Sequence, residues 1–365
     1  MILFATAFII PILFLAGAFI ITRKVCWKEG LLGIAIQLVV ASVSTFICYK
    51  QNVEDVEVLN TYVVDKKKER VSCEHSYSCN CRSETTGSGK NKTTRTVCDT
   101  CYEHPYDYDW SVYTTLNKFR IHRIDRRGVK EPPRWSQVKI FEPVAILHEY
   151  DNYIKAAPGT LFRYQGQQKY EIPKYPDNVY DYYHLDRLVL VNGAKVEDAK
   201  LWNFSLEELN SYIGPKKQAN IVVVIVNDYP REYFYALNQA WLGGKKNDVI
   251  VVVGTEGWIE IMAWAVDPLF QVRLRDALLN KQIDPNVMIP IIAEEVMASY
   301  VRKPMEDFAY LKSSITPTLT QWIVTLLVGT VVSVILTIIF VKIELFGNEQ
   351  GKKFYKRKMR HEYWR

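Results

Sequence analysis

The chain has 365 residues, of which 48% are hydrophobic, and a formal net charge of +6. The positive charge does not indicate a nucleic-acid-binding protein. A large part of the excess lies in residues 344–365, and the rest of the chain shows no basic stripe that would follow a phosphate backbone. Much of the hydrophobic content lies in three long runs, two at the start of the chain and one near its end.

The three runs, residues 1–22, 31–49 and 322–343, predict three transmembrane helices. A run of about 20 apolar residues is needed to cross roughly 30 Å of hydrocarbon, and a helix satisfies its backbone polar groups there. Residues 1–22 open with apolar residues and carry their nearest positive charges after the run, which disfavours a cleaved signal peptide. Gln37 is the strongly polar side chain of the second run, and a neighbouring helix can accommodate one amide.

The basic residues predict how these helices are oriented. Lys and Arg are frequent in residues 23–30 and 344–365, and positive charge beside a helix end marks the cytoplasmic side. Three crossings then place the N-terminus and residues 50–321 outside the cytoplasm, and both basic segments inside it. The lipid bilayer is therefore a predicted partner, and any specific function is expected in residues 50–321.

Residues 50–114 are predicted to contain a cysteine-rich β-hairpin. Apolar and polar residues alternate before the cysteines and, less regularly, after them, which is typical of two paired strands. A C-x-C and a C-x-x-C motif lie between these strands, and their cysteines are Cys79, Cys81, Cys98 and Cys101. Additional metal-ligating side chains flank them at Cys73, His75 and His104.

Three uses of these cysteines stay open in the sequence: a structural metal site, disulfides, and free or redox-active thiols. Two short cysteine motifs brought together can bind a structural Zn²⁺ ion tetrahedrally. An oxidising compartment favours disulfides instead, and Cys79 and Cys81 are too close in sequence to pair comfortably with each other. Each would then need a partner elsewhere. Either of the first two uses would stabilise a hairpin that has little core of its own.

Residues 115–219 predict a strand-rich region with many Tyr and Pro residues. A short helix is predicted over residues 201–213, with Ser205 and Glu208 at the spacing of a capping box. Tyrosines between positions 164 and 183 either fill a core or form a binding surface. No local grouping of His, acid and nucleophile is evident, so no catalytic residue is assigned.

Residues 220–310 predict an α/β module. Continuous β-branched runs at 221–226 and 249–253 are typical of strands buried on both faces, and a third strand is predicted at 259–266. Helical spacing follows at 231–241, 270–279 and 287–300. The predicted fold class is thus an α+β or α/β ectodomain, with a small sheet covered by helices and a cysteine-rich hairpin, anchored by three transmembrane helices.

The same residues resemble a TPM domain, the extracytoplasmic module of certain thylakoid, bacterial-envelope and nematode receptor-associated membrane proteins. The resemblance covers about residues 220–310. It rests on the valine-rich run 221–226, on Trp241-Leu-Gly-Gly, and on Lys-Lys-Asn-Asp248 leading into the run 249–253. The family's usual glycine-glycine-acid stretch after the second strand is absent, so phosphatase activity is not carried over.

The resemblance also implies candidate acidic residues. Some members of the family bind Ca²⁺ through acidic loop residues, and Asp248 lies where the family's acidic turn falls. Asp228 and Asp267 follow predicted strands, and α/β sheets bind ligands at the carboxyl edge of their strands. These three residues form a weak candidate site, and the default interpretation is that they are surface acids at turns.

Two functions are compatible with this sequence. The favoured one is a non-enzymatic extracytoplasmic module that binds a protein partner or a second copy of the chain. It rests on the predicted crossings, on the lack of a convergent catalytic motif and on the aromatic-rich outer part. The alternative is a membrane-anchored, phosphatase-like hydrolase with an acidic, Ca²⁺-dependent site within residues 220–310.

Overall fold

A computed structural model describes most of the chain. The described residues are 27–86, 93–161, 164, 169–176 and 185–343, together with positions 9, 12, 13, 16 and 17. Most of the predicted first transmembrane helix, the tip of the cysteine hairpin and the basic tail lie outside the described residues. The chain divides into two compact units. The helical unit comprises Met1–Val56, Glu149–Gln165 and Lys303–Arg365, and the sheet unit comprises Glu57–His148 and Gly166–Arg302.

The described residues form helices and strands in a mixed order along the chain. The helices are α1 (Trp27–Val53), α2 (Pro133–Gln137), α3 (Tyr153–Ala156), α4 (Pro158–Leu161), α5 (Ala199–Lys217), α6 (Tyr233–Ala240), α7 (Phe270–Leu278), α8 (Pro285–Ser299) and α9 (Leu319–Ile343), with a 3₁₀-helix at Met305–Ser314. The strands are β1 (Glu54–Val71), β2 (Ser76–Thr86), β3 (Thr93–Tyr102), β4 (Asp107–Thr114), β5 (Lys118–Ile121), β6 (Pro143–Asp151), β7 (Leu188–Val191), β8 (Asn220–Val226), β9 (Asp248–Gly254) and β10 (Ile259–Ala263).

The helical unit is built around the antiparallel pair α1 and α9. Within the described residues, Trp27–Val53 and Leu319–Lys342 are the helices long and apolar enough to cross a membrane. Only 17% and 22% of their most apolar segments are buried, whereas a core helix of a water-soluble protein would be mostly buried. Two of the three predicted membrane helices therefore occur as long apolar helices, each slightly longer than predicted.

A four-stranded sheet in the order β10-β9-β8-β7 forms the centre of the sheet unit. β7, β8 and β9 are parallel, and β10 is antiparallel to β9. α5 connects β7 to β8 and α6 connects β8 to β9, because parallel neighbours require a crossover. All residues of β8 and β9 are buried, as expected for strands covered by helices on both faces.

Alternate residues of the central strand β8 face two different cores. Ile221 and Ile225 pack with residues of α5, α7 and α8 on one face. Val222 and Val224 pack with residues of α6 on the other face. Tyr170 and Tyr175, both partly buried, pack against this second core, so these two tyrosines of the predicted cluster contribute to a core.

A second sheet in the order β5-β4-β1-β6 is antiparallel where β1 meets β4. The register pairs Val71 of β1 with Asp107 of β4, and 35 residues of chain lie between these two positions. That intervening chain contains the antiparallel ribbon β2–β3. The predicted pairing of strands before and after the cysteines is therefore confirmed, but the cysteines lie on a further pair of strands.

The predicted elements of residues 220–310 are confirmed, with ends that differ by a few residues. The predicted capping box in α5 is wrong. Asp198 is the N-cap and accepts hydrogen bonds from the backbone N–H groups of Lys200 and Leu201, whereas Ser205 lies inside the helix. Asp satisfies two unpaired donors of the first turn at the N-cap, so the helix begins earlier than its apolar spacing indicates. At the coarse level, the mixed α and β class with apolar helices is confirmed.

Candidate functional site

The structure does not bring the three candidate acids together. Asp248 begins β9 and pairs in register with Asn220 at the start of β8. Asp228 follows the other end of β8, so the strand separates the two carboxylates by roughly 20 Å at about 3.3 Å per residue. Asp267 follows β10, which runs opposite to β9, and its carboxylate forms an ion pair with Arg273 at 2.6 Å.

Asp248 has a structural role in the sheet unit. Its side chain is fully buried and accepts hydrogen bonds from Tyr175 Oη at 2.6 Å, Asn220 Nδ2 at 2.7 Å and the backbone N of Lys245 at 2.6 Å. Burial raises the pKa of the Asp248 carboxyl, and these hydrogen bonds oppose the shift. The carboxylate closes the turn that leads into β9, and its acceptor sites are used by the protein itself.

The four central cysteines form two disulfides, Cys79–Cys101 and Cys81–Cys98. They link β2 to β3, two strands that pair only with each other. We call this element, Ser76–Thr86 with Thr93–Tyr102, the stapled ribbon. None of its residues with a described side chain is buried, and an isolated two-stranded ribbon is marginal in water. The disulfides replace the missing core, and sulfurs in this state are not thiolate ligands.

A second group of chemically active side chains lies at the root of the stapled ribbon. Cys73 precedes β2, His104 follows β3, and Asp107 begins β4. Cys73 Sγ lies 3.6 Å from His104 Nδ1, and the same nitrogen lies 3.5 Å from Asp107 Oδ1. The three ligand atoms all lie within 4.8 Å of one another. Cys73 and Asp107 are buried, whereas His104 retains some exposure.

The register of the second sheet brings these residues together. Because Val71 pairs with Asp107, the chain just beyond β1 meets the beginning of β4. A backbone hydrogen bond from Glu103 N to His75 O closes the root of the ribbon at 3.0 Å. His75 itself is directed elsewhere: its Nε2 lies 3.2 Å from the backbone oxygen of Arg126.

The carboxylate of Asp107 is held by its neighbours through one oxygen. Oδ2 accepts hydrogen bonds from the backbone N of Glu74 at 3.2 Å and from Arg123 Nη1 at 3.3 Å. Oδ1 is buried and has no hydrogen-bond partner of good geometry among the described residues. A buried oxygen without a partner is uncommon in proteins and calls for an explanation. This one points at the sulfur and nitrogen of the cluster.

The geometry distinguishes between two chemical uses of a Cys-His-Asp group, a nucleophilic triad and a metal site. In a nucleophilic triad, the histidine contacts the nucleophile through one ring nitrogen and the acid through the other. Here Cys73 and Asp107 both approach Nδ1 of His104, so no relay runs through the ring. Three ligand atoms within 4.8 Å of one another are close enough to bind one metal ion.

The sequence predicted part of this cluster. The sequence indicates Cys73, His75 and His104 as additional metal ligands beside the ribbon cysteines, but it does not indicate Asp107. The predicted pairing of the strands before and after the cysteines was the signal that could have located Asp107, because it brings positions near 73 and 107 together. Its position is evident only once the register is known.

No family model, no curated protein and no solved structure matches this chain. The resemblance of residues 220–310 to a TPM domain therefore stays a prediction.

Proposed function

We propose that this chain is an integral membrane protein whose extracytoplasmic part is a non-enzymatic module for binding and assembly. The observation that carries the membrane anchoring is the distribution of polar and apolar side chains on the α1–α9 pair. Gln37 and Ser333 are fully buried between the two helices, whereas Leu38, Phe46 and Val331 are exposed. Apolar residues outside and polar residues between helices are the arrangement expected in lipid.

Contacts along the pair support its antiparallel arrangement. Gln37 Nε2 donates to Gly329 O at 3.0 Å and to Ser333 Oγ at 2.8 Å. Nearer the end of α1, Cys48 Sγ lies 3.7 Å from Thr325 Oγ1. Positions that increase along α1 therefore meet positions that decrease along α9. The chain between the two helices leaves and re-enters the membrane on one face.

The charges of the sequence indicate which face this is. Lys28 lies near the start of α1 and Lys342 near the end of α9, so both lie at the same end of the antiparallel pair. Further Lys and Arg residues lie just before α1 and in residues 344–365. Because positive charge marks the cytoplasmic side, the part of the chain between the helices is extracytoplasmic. The disulfides of the stapled ribbon fit an oxidising compartment.

The stapled ribbon is the element that we propose for contact with a protein partner or a second copy. Tyr77 and Tyr102 expose 52% and 57% of their surface on it, and tyrosine is enriched in protein interfaces. A ribbon also offers strand edges, to which another chain can add. The alternative hydrolase has no observation in its favour, since Asp228 and Asp248 lie at opposite ends of the sheet.

The experiment is chemical cross-linking in native membranes, with and without Tyr77→Ser and Tyr102→Ser together. We expect the wild-type chain to remain in the pellet after an alkaline wash and to form a discrete cross-linked species that the double variant lacks. Tyr212→Ser is the matched control, because Tyr212 is equally exposed but lies on α5. Release of the chain by the alkaline wash, or equal cross-linking in all three proteins, would contradict the proposal.

A further inference from the structure

We propose that Cys73, His104 and Asp107 bind a Zn²⁺ ion that fixes the root of the stapled ribbon. The proposal concerns residues outside the two disulfides, and it does not depend on the function proposed above. It rests on the spacing of the ligand atoms, on a buried oxygen that accepts no hydrogen bond from the described residues, and on the chemistry of the donor set.

Two of the three distances between the ligand atoms match a tetrahedral zinc site. Zinc binds sulfur at about 2.3 Å and nitrogen or oxygen at about 2.0–2.2 Å. Tetrahedral angles then place sulfur and nitrogen about 3.5 Å apart, and nitrogen and oxygen about 3.4 Å apart. The corresponding distances are 3.6 Å from Cys73 Sγ to His104 Nδ1 and 3.5 Å from that nitrogen to Asp107 Oδ1.

The unpartnered oxygen of Asp107 is explained by this site. Oδ1 is buried and lacks a hydrogen bond of good geometry among the described residues, while Oδ2 accepts two. A metal ion would satisfy Oδ1, and the donors on Oδ2 would orient the carboxylate. Hydrogen bonds of this kind to ligating groups are usual around metal sites.

The donor set favours zinc over the other common divalent ions. A thiolate, an imidazole nitrogen and a carboxylate oxygen are all zinc ligands, whereas Ca²⁺ and Mg²⁺ select oxygen ligands only. The four cysteines of the ribbon are occupied in disulfides, which leaves Cys73 as the thiol nearest its root. A water molecule would supply the fourth ligand, as it does in other zinc sites with three protein ligands.

The position of the site gives the ion a structural consequence. Cys73 and His104 are 31 residues apart, and the whole ribbon lies between them. Zinc bound by Cys73, His104 and Asp107 closes this long segment at its base, and closing long segments removes conformational freedom from the unfolded chain. The disulfides stiffen the ribbon itself, and the ion fixes its attachment to β1 and β4.

The test uses the full-length protein, purified in detergent without reductant so that the disulfides stay intact. Zinc per chain is measured by elemental analysis, and chelator-treated protein is then titrated with Co²⁺. We expect about one metal ion per chain, together with the sulfur-to-cobalt charge-transfer absorption and the visible bands of tetrahedral Co²⁺. Loss of the outer contacts of a ligand weakens metal binding about 10- to 100-fold. Loss of a ligand in Cys73→Ser or Asp107→Asn should therefore weaken it by at least about 100-fold.

The control is Cys79→Ser with Cys101→Ser, which removes a disulfide and no proposed ligand. It should retain the zinc stoichiometry and the cobalt spectrum. Asn has nearly the same shape as Asp, so Asp107→Asn removes the carboxylate charge without changing the packing. In Cys73→Ser, loss of the charge-transfer band reports the loss of the sulfur ligand directly. The proposal is overturned if wild-type protein takes up neither metal. It is also overturned if Cys73→Ser binds as tightly as wild type, or if binding is lost only in the disulfide variant.

Discussion

Gln37 of α1 donates a hydrogen bond of 2.8 Å to Ser333 of α9, and both side chains are fully buried. Large apolar residues cover the outer surface of both helices. We expect Gln37→Leu to weaken the helix pair by about 0.6–1.7 kcal/mol, the average and the maximum found for side-chain hydrogen bonds between helices in lipid. Unfolding in a denaturing detergent, followed for wild type, each single variant and Gln37→Leu with Ser333→Ala, measures this coupling.

The matched control for this prediction is Val39→Leu, because Val39 lies on the outer surface of α1 and is 63% exposed. It should leave the unfolding transition unchanged. Equal effects of Gln37→Leu and Val39→Leu would mean that the buried amide does not hold the pair together.

The two disulfides should protect the stapled ribbon from proteolysis. They close segments with sequence separations of 22 and 17 residues, and a loop of this size is stabilised by about 3 kcal/mol. Replacing all four cysteines by serine should open the ribbon, so that trypsin cleaves at the exposed Arg82 and Arg95 before it cleaves the rest of the sheet unit. Peptide mapping over time detects the sites. Ser83→Ala, on the same ribbon, is the control, and an unchanged cleavage order would contradict the prediction.

Glu69 should make the stability of the sheet unit depend on acid pH. The hydroxyls of Ser111 and Tyr113 donate hydrogen bonds to its carboxylate and, with Lys118, lower its pKa from 4.5 to about 2. The folded state therefore favours the ionised form. This stabilisation is present above pH 4.5 and is lost as the pH falls towards 2, because the unfolded state binds its proton first.

This prediction is tested by thermal unfolding of wild type and Glu69→Gln between about pH 6 and about pH 2. This range includes the pKa of Glu69 in the unfolded and in the folded state. Wild type should be the more stable protein at the upper end, and the difference should shrink through the window between 4.5 and about 2. A difference that is constant across this range would exclude a role for ionisation at Glu69.

Asn210 should stabilise the beginning of strand β8 in the central sheet. Its Nδ2 donates to Ile221 O at 3.0 Å, and its Oδ1 accepts from Ile221 N at 2.6 Å. β7 pairs with residues 223–226 of β8, so the pairing ends before it reaches Ile221. The Asn210 amide takes the place of a neighbouring strand at Ile221. Asn210→Ala leaves two buried backbone groups unpaired, at about 1–3 kcal/mol each. Denaturant unfolding of this variant should show a loss of about 2–6 kcal/mol.

Ser211→Ala is the neighbouring control, because among the described residues the Ser211 hydroxyl donates its hydrogen bond within its own helix, to Glu208 O. We expect a change of less than about 0.5 kcal/mol. Comparable losses in the two variants would show that the effect belongs to the helix and not to the contact with Ile221.

The parts of the fold that could be predicted from the sequence are those with a strong local pattern. β8 and β9 are continuous β-branched runs, and α1 and α9 are long apolar helices, so each was located to within a few residues. β7 is only four residues long and was not predicted, because a short strand gains its stability from its neighbour. The predicted division of residues 50–310 into three regions stays a prediction.

The candidate site was harder to predict because its residues are brought together by pairing of distant strands. Cys73 and His104 were noticed for their chemistry, but their connection to Asp107 depends on the register of β1 and β4. The pairing of the ribbon cysteines is likewise open in the sequence. The pairing of β2 with β3 brings the four cysteines close together, and the disulfides are Cys79–Cys101 and Cys81–Cys98. Residue type identifies candidate ligands, whereas register decides which of them meet.

The most direct test of the central claim is labelling of lysines in sealed, right-side-out membrane vesicles with an amine reagent that cannot cross the bilayer. Lys67 and Lys118 have exposed side chains on the sheet unit, and Lys353 and Lys356 lie in the basic tail. Mass spectrometry should find the first pair labelled in intact vesicles and the second pair labelled only after the vesicles are opened. Labelling of the tail in intact vesicles, or recovery of the chain in the soluble fraction, would contradict the proposed anchoring and orientation.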